Sequence, residues 1–175
     1  MPVPTSPPVA DAADPHAEQA TQGIMALVEA ARKRKQAAKQ LLMRTIGDPA
    51  EPKHVEWRHA APNRELWSFI TPEVSEHGGW RINTFDANGF IGHASFSSFD
   101  QCLDEMVFRG FTEPDPGALD RLSSTQDWAI GTAISDAIQR ANQGQISQDQ
   151  ALEEIRQIRS ARQEPTHHVG TPQEC

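Results

Sequence analysis

The stretch "WRINTFDANGFIGHASFSSFDQCLDEMVFRGF", residues 80–111, decides the fold. Two runs rich in β-branched and aromatic residues flank Asn88-Gly89, and an Asn-Gly pair between such runs is the strongest local signal of a β-hairpin. The sequence therefore predicts two antiparallel strands. Pairing Asp86 with Phe90 across a three-residue loop, with Gly89 in the left-handed conformation, gathers the most apolar side chains on one face.

This register predicts a core face and an outer face of the hairpin. The outer face is mostly polar but carries two large apolar side chains, which we interpret as anchors for a partner, because such groups concentrate at contact surfaces. The predicted core face holds Trp80, Ile82, Phe90, Ala94 and Phe96. The predicted outer face holds Arg81, Asn83, Phe85, Ile91, His93 and Ser95.

A helix is predicted directly after the hairpin. Ser98 and Gln101 have the spacing of a capping box, and Gly110 is typical of a left-handed C-cap. The residues between them place one apolar stripe against the core face, formed by Phe99, Cys102, Leu103 and Met106. With a short strand at 66–70, the fold class is α+β: a small antiparallel sheet of two to three strands packed by a helix, with a long N-terminal helix and a C-terminal helical hairpin.

The remaining segments follow from composition and periodicity. Five prolines in the first fifteen residues predict a disordered leader. Apolar residues three and four apart predict helices on both sides of the α+β core. The predicted boundaries are a leader at 1–16, a basic amphipathic helix at 17–46, an irregular linker at 47–64, the core at 65–122, a helical hairpin at 123–162 and a disordered tail at 163–175.

Composition restricts the functional classes. The chain has 175 residues and a formal net charge of −8, and residues 51–122 carry 6 Lys and Arg against 12 Asp and Glu. Such an acidic segment repels a phosphate backbone and suits a basic partner. Two cysteines make no disulfide framework, and no apolar run is long enough to cross a membrane, so we expect a cytoplasmic protein.

Several stretches resemble metal-binding or catalytic motifs, but their residues do not have the identity or the spacing that those motifs require. His54 and His59 have neither helical nor zinc-finger spacing. The loop that runs from Thr84 to Ser95 lacks the carboxylates of a calcium loop at its first and last positions. His77 precedes the hairpin as in a metal nuclease, but the helix that follows contains no second histidine. We therefore expect no metal and no cofactor, and an enzyme is the least supported class.

The favoured hypothesis is a non-catalytic protein-binding protein, with an accessory, inhibitory or regulatory role. It would offer its partner the acidic side of the helix that follows the hairpin, together with the outer face of the hairpin itself. The identity of that partner protein does not follow from the sequence. The predicted partner-binding residues are Arg81, Asn83, Phe85, Ile91, His93, Asp100, Asp104 and Glu105.

The alternative is a nucleic-acid-binding protein that uses the hairpin face to read bases and the basic helix to contact phosphates. The acidic flanks disfavour it. Its predicted residues are Arg32, Lys33, Arg34, Lys35, Lys39 and Arg81.

A homodimer through the basic helix is a further expectation. At 1.5 Å per residue, a thirty-residue helix is about 45 Å long, more than twice the length of the helix that it would pack against. The stripe that contains Ile24, Leu27 and Val28 should therefore project beyond the domain and be covered by a second copy or by the partner.

Overall fold

The computed structural model describes residues 15–74 and 78–161. Both predicted disordered segments, 1–16 apart from Pro15 and His16 and all of 163–175, lie outside these residues, as does His77. No helix within the described ranges is long and apolar enough to cross a membrane. In chain order the elements are α1 (Pro15–Ile46), β1 (Trp57–His59), β2 (Trp67–Pro72), β3 (Trp80–Asp86), β4 (Gly89–Phe96), α2 (Phe99–Arg109), β5 (Phe111–Pro114), α3 (Ala118–Ser123), α4 (Gln126–Asn142) and α5 (Gln148–Ala161).

The α+β class is confirmed, but the sheet is larger than predicted. It has five strands in the order β4-β3-β2-β1-β5, and every neighbouring pair is antiparallel. The additional strands are β1, which lies inside the segment 47–64 that was predicted to be irregular, and β5, which begins directly after Gly110. Both are too short to show an alternating pattern, and they are held mainly by pairing with each other.

The predicted hairpin register holds away from the turn and fails at the turn. Trp80 pairs with Phe96 and Ile82 with Ala94, as predicted, but Asp86 pairs with Gly89 rather than with Phe90. A two-residue loop replaces the three-residue one, and Asp86 Oδ1 accepts a hydrogen bond of 2.7 Å from the Asn88 amide. A bulge between Thr84 and Phe85 separates this turn from the predicted register. Phe90 therefore pairs with Phe85 and lies on that face of the sheet, not on the core face where it was predicted; its ring is 5.5 Å from the Trp128 ring, centroid to centroid, and it is 55% exposed.

One face of the sheet packs against α1 and α2. The N-cap and the C-cap predicted for α2 are confirmed: the Ser98 side chain accepts from the Gln101 amide, and Gly110 is left-handed with φ 88°. The capping box is only half formed, because the Gln101 side chain accepts a hydrogen bond of 2.9 Å from the Ser97 hydroxyl. Their effect is to begin and end the helix where its apolar stripe covers Ile82. The buried cluster on this face consists of Leu42, Ile46, Trp57, Ile70, Ile82, Cys102, Leu103, Met106 and Phe111.

The second face of the sheet is also a core, which the sequence did not predict. Trp67, Phe69, Phe85 and Ala118 are buried there, and residues of α3 and α4 pack on them. The Phe85 ring lies 6.0 Å from the Trp67 ring, 6.0 Å from Phe69 and 5.9 Å from Trp128 of α4, centroid to centroid. The helical hairpin therefore docks on this sheet within the chain.

Only the second half of α1 belongs to the domain. Leu42 and Ile46 are fully buried, whereas Ile24, Leu27 and Val28 in the first half are 59–72% exposed. At 1.5 Å per residue, the 32 residues of α1 are about 48 Å long and the 11 residues of α2 about 16 Å. The first half of α1 therefore extends beyond the end of α2, and its apolar residues are exposed.

Candidate functional site

The acidic side of α2 is occupied largely by the chain's own cations. Lys39 Nζ of α1 lies 2.8 Å from Asp100 Oδ1 and 2.6 Å from Asp104 Oδ1, and Glu105 pairs with Arg109 within α2. Desolvation lowers the pKa of Lys39, but the hydrogen bonds to both aspartates outweigh it and raise the pKa above its usual value. Asp100 and Asp104 therefore link α2 to α1, although their side chains remain 69% and 64% exposed, while Glu105 pairs within its own helix. Their role in binding a partner stays a prediction.

Phe85 is not a partner anchor. Its side chain is 0% exposed and lies at the centre of the second core. The alternation of side chains along β3 placed it correctly on the face opposite Ile82. The prediction failed because alternation does not tell whether that opposite face is open to solvent or covered by another element, and here α3 and α4 cover it.

The polar residues of the predicted outer face lie beyond the part that α3 and α4 cover. Asn83 donates a hydrogen bond of 3.1 Å to Thr71 Oγ1, and His93 is exposed. Arg81 pairs with Glu73, which also accepts a hydrogen bond of 2.5 Å from a serine hydroxyl on β4. The hydrogen bond from Arg81, followed by the one from that hydroxyl, lowers the pKa of Glu73 to about 2. The charge of Arg81 is thus neutralised on the sheet.

The residues assigned to nucleic-acid binding do not share one surface. The basic cluster lies on α1, which packs on one face of the sheet through Leu42 and Ile46, while Arg81 projects from the other face. Lys39 is engaged by two aspartates, and Lys35 lies 5.8 Å from the centre of the Phe108 ring. Arg81, which would contact bases, and the basic cluster of α1, which would contact phosphates, therefore lie on opposite faces of the sheet.

The open edge of the sheet is a feature that the sequence did not reveal. β4 is an outermost strand of eight residues, and from Phe90 to Phe96 every residue is exposed or half-exposed. It contains no Lys, Arg, Asp, Glu or Pro. Within residues 15–74 and 78–161, the backbone hydrogen bonds of β4 to other elements all go to β3. Alternate amides and carbonyls on its other side are therefore available for pairing.

A groove of about 560 Å³ adjoins the hairpin end of this edge. α4 approaches the β3–β4 turn so closely that a Cβ on Gly131 would lie 1.9 Å from the Asn88 carbonyl oxygen. This glycine lets the helix form one wall of the groove while the bulged strand forms the other. Ile91, which was predicted as an anchor, lies in this groove and is 59% exposed. The lining also includes Asp86, Phe90, Ile130, Ile134 and Arg159.

No side-chain constellation in the described part of the chain suggests catalysis by a metal or a thiol. Residues 15–74 and 78–161 contain no group of three or more His, Cys, Asp or Glu that could hold a metal ion. The Cys102 thiol is buried under α2, and desolvation raises its pKa to about 12, far from the range of a reactive thiolate. Cys102 is therefore part of the core.

Comparison with known proteins yields no significant match to a protein-family model, to a curated protein or to a solved structure. The functional argument therefore depends on the geometry of this chain. Of the predicted partner-binding residues, Ile91 and His93 are exposed on β4, Arg81 and Asn83 are half-exposed beside it, and the others are buried or ion-paired within the chain.

Proposed function

We propose that this protein is a non-catalytic protein-binding protein, with an accessory or inhibitory role, that binds an extended segment of its partner along β4. The observation that carries the proposal is the unpaired, uncharged edge of β4 beside a groove whose lining is partly apolar and partly polar. An extended peptide adds a strand to such an edge, so that main-chain hydrogen bonds supply affinity and side-chain pockets supply selectivity.

A contrast between the two edges of the sheet supports this choice. The opposite edge, β5, has only four residues, and these include Glu113 and Pro114. Short length, charge and proline are the usual means by which proteins prevent unwanted pairing at an edge. β4 has twice that length and none of those devices. An edge left open at one side and blocked at the other favours a role in recognition.

The groove at the hairpin end defines the segment that would bind best. Its walls are formed mainly by Ile91, Phe90, Ile130 and Ile134, with Asp86 and Arg159 among the lining residues. An apolar side chain of the bound strand would fill the groove, while a charged neighbour could pair with the carboxylate or the guanidinium. Arg81, Asn83 and His93 lie farther along the sheet and would contact the rest of the strand.

A displayed library of random peptides, selected against the full chain, tests this function. We expect the selected peptides to share an alternating apolar pattern and to lose binding at least tenfold on Ile91→Lys, because a lysine there places a charge in the groove and on the edge. Leu152→Lys is the matched control, since Leu152 is a similarly exposed apolar residue on α5. Peptides that bind the Ile91→Lys variant as well as the wild type would refute the proposal.

A further inference from the structure

The exposed first half of α1 leads into an open groove beside the second half of the same helix. Ile24, Met25, Leu27 and Val28 form an exposed apolar surface on the projecting part of the helix. From Val28 onward the same helix forms one wall of an open groove of about 1210 Å³, whose other wall is α2 with Phe108, itself 74% exposed. The exposed surface thus continues directly into this groove.

The two halves of α1 also have opposite charge character. Residues 15–31 contain two acidic residues and no Lys or Arg, whereas residues 32–46 contain six Lys and Arg and no acidic residue. Glu29 of the first half lies as far as 3.9 Å from Lys33 of the second half, and both side chains are more than half exposed, so this pair is weak. A helix with this asymmetry attracts a copy of itself that runs in the opposite direction and repels a copy that runs in the same direction.

We propose that α1 of a second copy occupies this groove, in an antiparallel arrangement with a two-fold axis near Ala26. Each copy then places the apolar surface of its first half against that of the other and directs its end into the groove between α1 and α2 of the other copy. The acidic half of each helix meets the basic half of its counterpart. Each copy uses the same surface of α1 and the same groove, as a closed two-fold dimer requires.

A second copy fits better than an unrelated helix because both the occupant and its site are present on the same chain. The projecting half has an apolar surface to cover, and the α1 wall of the groove presents Arg32 and Lys35 to an acidic helix, whereas Lys39 is already paired with aspartates of α2. An antiparallel copy meets both needs at once. The groove meets β4 only at Phe96, the last residue of that strand, and Ile91 lies outside it, so the dimer and the proposed function can be tested separately.

Sedimentation of the full chain tests the dimer. We expect twice the monomer mass of 19.3 kDa at micromolar concentration, and a monomer after Ile24→Asp and Val28→Asp are introduced together. Leu152→Asp on α5 is the control and should remain dimeric. The substituted residues are all exposed, so the variants should keep the circular dichroism of a folded chain.

Arg32→Gln, at a residue on the α1 wall of the groove, tests the direction of the two helices. In the antiparallel dimer it removes an attraction and should weaken association, on the order of two- to tenfold, whereas in a parallel dimer it would relieve repulsion and tighten it. A wild-type chain that sediments as a monomer at high concentration would overturn the proposal, and so would a dimer that survives the double aspartate variant. A dimer that is lost only on Ile91→Lys would assign self-association to β4 instead.

Discussion

Replacing Phe85 by alanine should destabilise the protein severely. The side chain is fully buried, and its ring lies within about 6 Å of the Trp67, Phe69, Phe90 and Trp128 rings, centroid to centroid. Burying roughly 200 Å² of aromatic surface at about 25 cal/mol per Å² corresponds to about 5 kcal/mol as an upper bound. Replacing a buried phenylalanine by alanine lowers the free energy of unfolding by about 3–5 kcal/mol in practice, because the cavity that the ring leaves closes only in part.

Urea unfolding followed by tryptophan fluorescence measures this loss. Leu152→Ala is the control, since Leu152 is an exposed apolar residue on α5 outside the second core and both proposed binding surfaces, and its truncation should change the free energy of unfolding by less than about 1 kcal/mol. Because a typical domain has only about 5–15 kcal/mol of stability, Phe85→Ala should shift the midpoint far toward low urea. A Phe85→Ala protein of wild-type stability would refute the second core and restore Phe85 as a surface anchor.

Two further predictions concern the ends of the hairpin. The hydrogen bond from Arg81, with a further one from the Ser95 hydroxyl, lowers the pKa of Glu73 from 4.5 to about 2, so the stability from these contacts is complete above pH 4.5 and is lost as the pH falls toward 2. The difference in unfolding free energy between wild type and Arg81→Gln, measured in urea titrations, should therefore narrow over that range, and a difference independent of pH would contradict the pairing. Gly131→Ala should lower the melting temperature, because its Cβ would overlap the Asn88 carbonyl at a cost of about 1–3 kcal/mol. Gly23→Ala, with nothing within 4 Å of its Cβ, should instead stabilise α1 by about 0.5–1 kcal/mol, and equal effects of the two substitutions would show that α4 does not dock on the turn.

Features whose signals lie close together in the sequence were predicted well. Asn88-Gly89 marks the hairpin, and Ser98 with Gly110 marks both ends of α2, because turns and caps depend on residues within a few positions of each other. Even the hairpin register was right beyond the bulge. The error at the turn arose because a two-residue loop and a three-residue loop use the same residues and differ only in which residue begins the pairing.

Features that depend on distant pairing were not predicted. β1 and β5 are short strands with little pattern of their own, and they exist because each completes the hydrogen bonds of the other. The burial of Phe85 depends on helices that follow it by more than thirty residues. The ion pairs of Lys39 with Asp100 and Asp104 join segments some sixty residues apart, so the sequence shows the charges but not their pairing.

Only part of the candidate site could be predicted from the sequence, because the rest depends on pairing between distant segments. Ile91 was identified as an anchor from its place on the outer side of the hairpin, and it lines the groove. The open edge was not identified, because which strand is outermost follows from strand order, and strand order depends on β1 and β5.

Amide hydrogen exchange along β4 tests the central claim most directly. In the free protein, alternate amides between Phe90 and Phe96 should exchange fast, because they face away from β3. When a selected peptide binds, those amides should become protected, and the alternation should disappear along the strand. If those amides of β4 still exchange fast while the peptide is bound, the result would contradict strand addition and locate recognition elsewhere on the protein.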